Sequence, residues 1–436
     1  MKNLTDYQEE IHKCSKCGLC QSVCPVYEIT GNDCSVSRGK FILLNGIIKG
    51  DLKLNKNINK YLDMCLKCNA CKNFCPSDID AREIFLTAKS QYFKTAPESK
   101  LIKIFHSKAV FTSVLKLVKM ATTTYRFLKI DKLVSKFYPL FLKTGWVGKK
   151  IILANEFVGE TGLASLKDPS PFTHHPSHQK AVYFKGCVNE FINPSVKNAA
   201  EKVLSQMGVE ILPLNFECCG VPFLSSGNVE QFKKQAEFNL AQIPEDFDYF
   251  LTDCASCQGA FEEYKKVIDD EVMIEKLKKI LEKSLNINEF LVKNIKSIGF
   301  EKKTSITFHK PCHLESMDFL QELLGKSKNI DYNQMEEFDK CCGFSGEFAI
   351  KNQSISAEIS KNKAKNALAT NSNYILTSCP ACKLGLVQGL IENQEFAPVL
   401  NLIEFIAMGN IDLGLIEIAE LESQTDYPDK IATSHC

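Results

Sequence analysis

Twenty cysteines stand in this 436-residue chain, and their spacing limits its fold more than any other feature. Eight form two identical runs, Cys14-x2-Cys17-x2-Cys20-x3-Cys24-Pro25 and Cys65-x2-Cys68-x2-Cys71-x3-Cys75-Pro76, 51 residues apart. Ten more repeat a second pattern. Its first copy is Cys187, Cys218-Cys219-Gly220 and Cys254-x2-Cys257; its second is Cys312, Cys341-Cys342-Gly343 and Cys379-x2-Cys382. The offset between these copies stays at 123 to 125 residues, the mark of a duplicated unit. Sulfur at this density builds either a disulfide scaffold or metal sites. A scaffold needs an oxidising compartment. Residues Met1 to Gln8 carry no apolar stretch, so no secretory signal is read and a cytoplasmic location is expected. Metal binding is the leading reading.

The two runs fit the arrangement that holds [4Fe–4S] clusters in bacterial ferredoxins. Three thiolates come from one tight loop and a fourth from elsewhere. In two-cluster ferredoxins the fourth cysteine of each run serves the other cluster. The expected sets are therefore Cys14, Cys17, Cys20 with Cys75, and Cys65, Cys68, Cys71 with Cys24. Paired zinc sites are the alternative, since C-x2-C is also a zinc spacing. The flanking sequence reads helical. Asp80-Ala81-Arg82-Glu83 has capping-box character, followed by Ile84, Phe85, Ala88 and Tyr92 at helical spacing. Residues 37–48 carry a second stripe, Phe41, Ile42, Leu44, Ile47 and Ile48. An α-helical ferredoxin domain is expected over residues 1–97.

In the duplicated part, Ala181-Val-Tyr-Phe precedes Cys187 and Ser305-Ile-Thr-Phe precedes Cys312. Tyr249-Phe-Leu-Thr-Asp likewise precedes Cys254, and Tyr374-Ile-Leu-Thr-Ser precedes Cys379. These short apolar runs read as buried strands alternating with helices, such as 194–207 and 357–369, and Val399, Leu402, Ile403, Phe405 and Ile406 within 396–418 are spaced for a helix that closes the core of the second unit. The fold class is thus mixed: a helical ferredoxin domain followed by a duplicated α/β body with parallel sheets. Ligands in such bodies sit beyond the carboxyl ends of strands, where Cys187, Cys254, Cys312 and Cys379 fall. Gly220 and Gly343 are expected to let the backbone approach a bulky cluster. Five thiolates per copy exceed the need of one tetrahedral zinc and suit an iron–sulfur cluster, with zinc at one copy as the alternative. The domain reading is 1–97, a basic segment and linker over 98–180, CCG units over 181–300 and 301–418, and a tail over 419–436.

The CCG pattern resembles the one repeated in the heterodisulfide reductase family. Two ferredoxin runs followed by two CCG units resemble the iron–sulfur subunit of glycolate oxidase, with lactate-utilisation proteins and the anaerobic glycerol-3-phosphate dehydrogenase subunit as relatives. Ser37-Arg38-Gly39-Lys40 resembles the Ser-Pro-Arg-Gly-Arg segment of the glycolate oxidase group, although Val36 precedes Ser37 and no proline intervenes. The resemblance covers most of residues 10–410. It implies an electron-transfer subunit of a 2-hydroxy-acid (glycolate or D-lactate) dehydrogenase complex, with an FAD-containing partner subunit and quinone or another membrane acceptor. By motif it implies further iron–sulfur clusters at Cys187, Cys218, Cys219, Cys254, Cys257 and at Cys312, Cys341, Cys342, Cys379, Cys382. The alternatives are thiol/disulfide chemistry at a CCG cluster and the glycerol-3-phosphate role.

No Gly-x-Gly occurs among the 22 glycines, so flavin or nicotinamide is expected from another chain. The near-zero formal charge of +1 argues against nucleic acid as a partner, yet it conceals a local imbalance. Residues 100–150 hold twelve Lys and Arg against Asp131 alone, interleaved with Phe105, Phe111, Phe127, Phe141 and Trp146. Such a segment is a candidate for peripheral contact with an anionic membrane face, or else a linker with a solvated basic face. His174, His175 and His178 lie in a Pro/Ser-rich linker. His309 and His313 flank Cys312, where either is placed to hydrogen-bond a cluster sulfur or move a proton. Cys34 and Cys436 belong to neither array.

Overall fold

The computed structural model describes residues 2–96 and 179–412, together with Ser113, Met120 and Lys149. The basic segment otherwise, the histidine-bearing linker, the tail and Cys436 lie outside the described residues. No helix of the described part is long and apolar enough to cross a membrane.

Residues 2–96 are helical throughout: α1 (Gln8–His12), α2 (Leu19–Ser22), α3 (Pro25–Thr30), α4 (Ser37–Ile48), α5 (Lys56–Asp63), α6 (Ala70–Asn73) and α7 (Ala81–Thr95). Asp80 caps α7 by accepting from the Glu83 N–H at 3.1 Å. The reciprocal half of the expected capping box is not made. The Asp80 N–H donates to Glu10 at 3.0 Å, which frees the Glu83 carboxylate for Tyr7 and Lys266. In α4, Phe41 and Leu44 are buried but Ile42 is 55% exposed, because its neighbour position turns about 100° away from the core stripe. A Cβ on Gly39 would lie 2.0 Å from the Asp33 carbonyl oxygen, so only glycine lets α4 sit against that turn.

The body contains two sheets of the same strand order. Strands β1 (Lys180–Phe184), β2 (Glu210–Ile211), β3 (Tyr249–Thr252) and β4 (Ser284–Asn286) run in parallel as β2-β1-β3-β4. Strands β5 (Ser297–Phe308), β6 (Ser327–Tyr332), β7 (Tyr374–Thr377) and β8 (Val399–Asn401) repeat this as β6-β5-β7-β8, and β9 (Asn410–Asp412) adds an antiparallel edge to β5. Val399, read from spacing as part of a closing helix, lies instead in β8; the helix starts at Leu402, capped by Asn401. One hydrophobic core joins both halves, from Phe184, Phe250 and Phe261 to Leu400 and Phe405. Polar links reinforce it: the Ala255 N–H donates to the Ser378 carbonyl at 3.2 Å, and the Asn401 amide to the Asp253 carbonyl at 3.3 Å.

Register adds a detail that the matching sequence strings hide. Ala181 of β1 pairs with Tyr249, whereas Ile306, not Ser305, pairs with Tyr374. The second copy is therefore offset by 125 residues along these strands, the same offset as from Cys187 to Cys312.

Candidate iron–sulfur sites

In both runs the chain between the first and third cysteines turns through left-handed residues. Lys16 and Gly18 have φ of 61° and 90°; Lys67 and Asn69 have 60° and 61°. Alternation of this kind curls a short loop so that its side chains and N–H groups face one concavity. The short helices α2 and α6 then carry Cys20 and Cys71. Cys14, Cys17 and Cys20 line one cavity together with Cys75. Cys65, Cys68 and Cys71 line another together with Cys24. Cys71 borders both cavities. Burial pushes the Cys24 thiol up to about 11, against the downward pull of the Lys40 ammonium, and the Cys71 thiol up to about 12.

In the body, Cys254 and Cys379 are N-caps of the helices Ala255–Tyr264 and Pro380–Glu392, which follow β3 and β7. Each C-x2-C motif thus sits at the carboxyl end of a central strand. The CCG turns pack beside them, their carbonyls tied by buried side chains. Asn239 donates to the Cys218 carbonyl at 3.2 Å and Tyr264 to the Cys219 carbonyl at 2.9 Å. In the second copy Ser360 donates to the Cys342 carbonyl at 2.8 Å and Ser356 to the Gly343 carbonyl at 2.9 Å. Gly220 and Gly343 have φ of 83° and 82°, and an added Cβ would meet Phe232 at 2.7 Å or Ile359 at 2.8 Å. The left-handed turn and the helix packed behind it each require glycine at both positions.

The sulfurs of each copy form a row. In the first, Cys187 hydrogen-bonds Cys218 at 3.6 Å, then Cys218 meets Cys219, Cys219 meets Cys257 and Cys257 meets Cys254. In the second the row is Cys312, Cys341, Cys342, Cys382 and Cys379. All cysteines among the described residues are free thiols, and 3.6 Å is far beyond a disulfide bond. Hydrogen bonds to Cys219 and Cys342 first, then burial, hold Cys257 and Cys382 well above the ordinary thiol value. Five sulfurs facing one another, four of them buried in each row, fit a bound metal centre, which would supply the positive charge that lets them ionise together.

The helical unit docks across both halves: on the first, Leu86 joins the core and Lys67 donates to the Ser225 carbonyl at 3.1 Å. Cys68 hydrogen-bonds Cys341, and Val26, Met64 and Leu66 pack on Phe348 and Ile359. The two halves meet where Cys254 hydrogen-bonds Cys379 and Ser256 reaches Cys379 at 3.5 Å. Ions are buried in the docking face. Lys89, 1% exposed, lies 2.9 Å from Glu347 and 2.7 Å from Asp63, while Lys67 lies 3.5 Å from Glu347 and Lys351 lies 2.7 Å from it. Burial would raise the Glu347 carboxyl, but the ammonium groups of Lys89, Lys67 and Lys351 outweigh it and pull it down to about 2.

Several of these groups escaped sequence reasoning. Lys40 is buried beside Cys65, Cys24 and Cys71, its ammonium donating to the Ser35 and Met64 carbonyls. Lys363 is buried beside Cys342 and Cys341, and burial lowers it to about 8. Asp253, next to Cys254, receives hydrogen bonds from Tyr183 and Asn189, and burial pushes it up to about 7. Only Lys40 carried a signal, through the Ser37–Lys40 segment; the others look like ordinary helix or strand-end residues. Of the flanking histidines, His313 reaches Ser256 at 3.4 Å and His309 the Phe338 carbonyl at 3.1 Å. Burial lowers them to about 4 and about 3, so both are neutral. Cys34 lies in a short turn capped by Asn32, outside both cavities.

Comparison with known proteins agrees with this geometry. The 4Fe-4S dicluster domain family matches residues 10–79, and the Cysteine-rich domain family matches residues 181–262 and 306–387. A probable glycolate oxidase iron-sulfur subunit of Bacillus subtilis is 23% identical over 404 residues, covering 87% of this chain and 89% of that protein. Lactate utilization protein A of Bacillus cytotoxicus is 30% identical over 215 residues, 48% of this chain and 90% of that protein. Lactate utilization protein A 1 of Bacillus cereus is 30% identical over 236 residues, 51% of this chain and 98% of that protein. A crystal structure of a hypothetical protein from Helicobacter pylori shares the fold, with a TM-score of 0.51 at 12% identity over 86% of this chain and 68% of that one. With a dicluster domain ahead of two cysteine-rich domains, and relatives of this kind along its length, the chain belongs to the family of iron–sulfur subunits that includes these glycolate oxidase and lactate utilization proteins.

Proposed function

We propose that this chain is the electron-transfer subunit of a 2-hydroxy-acid dehydrogenase complex, linking an FAD-containing partner to quinone or another membrane acceptor. Cys14, Cys17, Cys20 and Cys75 would hold one [4Fe–4S] cluster and Cys24, Cys65, Cys68 and Cys71 a second. The two five-cysteine rows would hold further clusters. Bound there, iron–sulfur clusters supply one-electron carriers. The observation that carries the reading is the unbroken succession of sulfurs. Cys71 borders both ferredoxin cavities, Cys68 bonds Cys341, and Cys379 bonds Cys254. This orders the sites as ferredoxin pair, second CCG unit, first CCG unit.

The protein's own residues hold that order. The Lys89–Glu347–Lys67 network fixes the helical unit against the second half, and buried Lys40 and Lys363 place positive charge beside anionic sulfur sets. Eight of the ten CCG cysteines are buried, which suits outer-sphere electron transfer better than attack on an external disulfide. We further propose the domain division read from the sequence, and contact of the 100–150 segment with the membrane face near the acceptor.

Anaerobic purification from native cells tests the reading. Iron and acid-labile sulfide should accompany the chain, and a flavin-bearing subunit should co-purify. Glycolate or D-lactate should reduce the iron–sulfur signals of the complex but not of the isolated chain. Zinc without sulfide, or reduction of the isolated chain by the hydroxy acid, would overturn it.

A further inference from the structure

We propose that His309 is a nitrogen ligand to iron at the second CCG site, so that the two halves of the duplication carry chemically different centres. This rests on the reading that the site holds an iron–sulfur cluster.

The argument starts from register. Phe184 pairs with Thr252 in the first sheet. In the second, Phe308 pairs with Leu376, so the next residue, His309, stands opposite Thr377, the counterpart of Thr252. An imidazole therefore occupies the register position of a phenyl ring that packs in the core against Phe216, Phe250 and Phe261. His309 is fully buried. A polar group so placed is costly unless both ring nitrogens find partners.

One of them does. Nδ1 lies 3.1 Å from the Phe338 carbonyl oxygen. A carbonyl only accepts, so Nδ1 carries the proton and Nε2 presents a bare lone pair. That Nε2 is buried and has no hydrogen-bond partner. It lies with the sulfurs of Cys342 and Cys382 so that all three atoms are within 4.8 Å of one another. Donors about 2.0–2.3 Å from a shared metal are separated by roughly this distance or less. Here a lone pair faces two sulfurs and has no hydrogen-bond donor; a cation among the three atoms satisfies all of them. Metal-bound histidines characteristically donate their second ring N–H to a carbonyl or carboxylate, which is the arrangement at Phe338.

Among the described residues the first half has no equivalent. Phe184 holds the register position, and Lys185 beside it pairs with Glu190 and Glu201 at 3.4 and 3.6 Å. The first site is then bound by thiolates alone and the second by thiolates and one imidazole. The imidazole takes the place of one of the five thiolates at iron, which removes negative charge from the centre and raises its reduction potential. The second CCG site, next to the ferredoxin unit, becomes the more readily reduced of the two.

The test uses the full chain, isolated anaerobically and labelled with 15N-histidine, poised where the second CCG site is paramagnetic. Pulsed EPR should show the coupling of a directly bonded nitrogen that changes with the label. His309→Gln should abolish it and His313→Gln should keep it. His309→Cys should lower the midpoint potential of that centre, which a merely packing role would leave unmoved. Iron that is lost on Cys342→Ser but shows no histidine coupling in the unmutated chain would overturn the ligand assignment and leave the cluster reading intact. If Cys342→Ser loses no iron, both fall.

Discussion

The two halves of the duplicated body keep the same five sulfurs, the same strand order and the same left-handed glycine, yet differ in what surrounds them. Behind the first row stands Asp253, held by Tyr183 and Asn189; in the second that position is Ser378, and His309 occupies the place of Phe184. In front of the second row is Cys68 of the helical unit, while the first is reached from that unit by Arg82, 3.4 Å from Glu263. Duplication preserved the five sulfurs at matching places on the two sheets. Divergence was free to act on the surroundings, which set charge, potential and neighbours.

The largest effect expected from breaking this asymmetry is at Glu347. Glu347→Gln leaves Lys67 buried without its carboxylate and Lys89 with Asp63 alone, and should cost about 3–5 kcal/mol of stability, measured by denaturant unfolding. The sign with pH follows from a carboxyl depressed to about 2. Its contribution is complete above the unfolded value of about 4.3 and is lost as pH falls towards 2, so the unmutated chain and the Glu347→Gln variant should converge in stability across that window. Equal stabilities at pH 7 would show that the network does not hold the interface.

A smaller difference should separate the two turn glycines. Gly220→Ala and Gly343→Ala each force a Cβ into a left-handed residue, at about 1–2 kcal/mol. Gly343 should suffer more. Its Cβ would meet the branched Ile359 at 2.8 Å and the Ser356 backbone oxygen at 3.1 Å, whereas Gly220 faces the edge of the Phe232 ring. Thermal melts of the two variants would rank them, and the reverse order would contradict the packing described. The smallest effect belongs to the first half's own tie. Glu263→Gln weakens contacts to Arg82 and to Lys266, 3.2 Å away, and should cost about 0.5–1 kcal/mol in the same unfolding assay. A loss as large as that of Glu347→Gln would mean that both halves are locked to the helical unit alike.

Much of this architecture was legible in the residues. The apolar tetrads before Cys187, Cys254, Cys312 and Cys379 are strands, and Asp80 starts a helix as read. The misreadings have physical causes. Helical spacing alone could not say that Val399 extends as a strand beside β7, since a short apolar run suits either state until a neighbour strand pairs with it. Nor could it say that Glu83 would leave its own cap for Tyr7. Gly220 and Gly343 stood out in the sequence as special, but the helix that packs behind each turn could not be read there.

Which cysteines belong to one loop was determined by the sequence itself, because a C-x2-C or C-C-G spacing constrains its sulfurs through local backbone geometry. The class of fold followed from strand and helix alternation for the same local reason. Only the tertiary structure decided the succession of the sites, the buried ions that dock the helical unit, and the tautomer of His309. Each of these depends on groups far apart in the chain. Cys68 meets Cys341, Lys89 meets Glu347, and Phe338 orients an imidazole 29 residues before it. No residue's own identity encodes such a partner until packing brings it into reach.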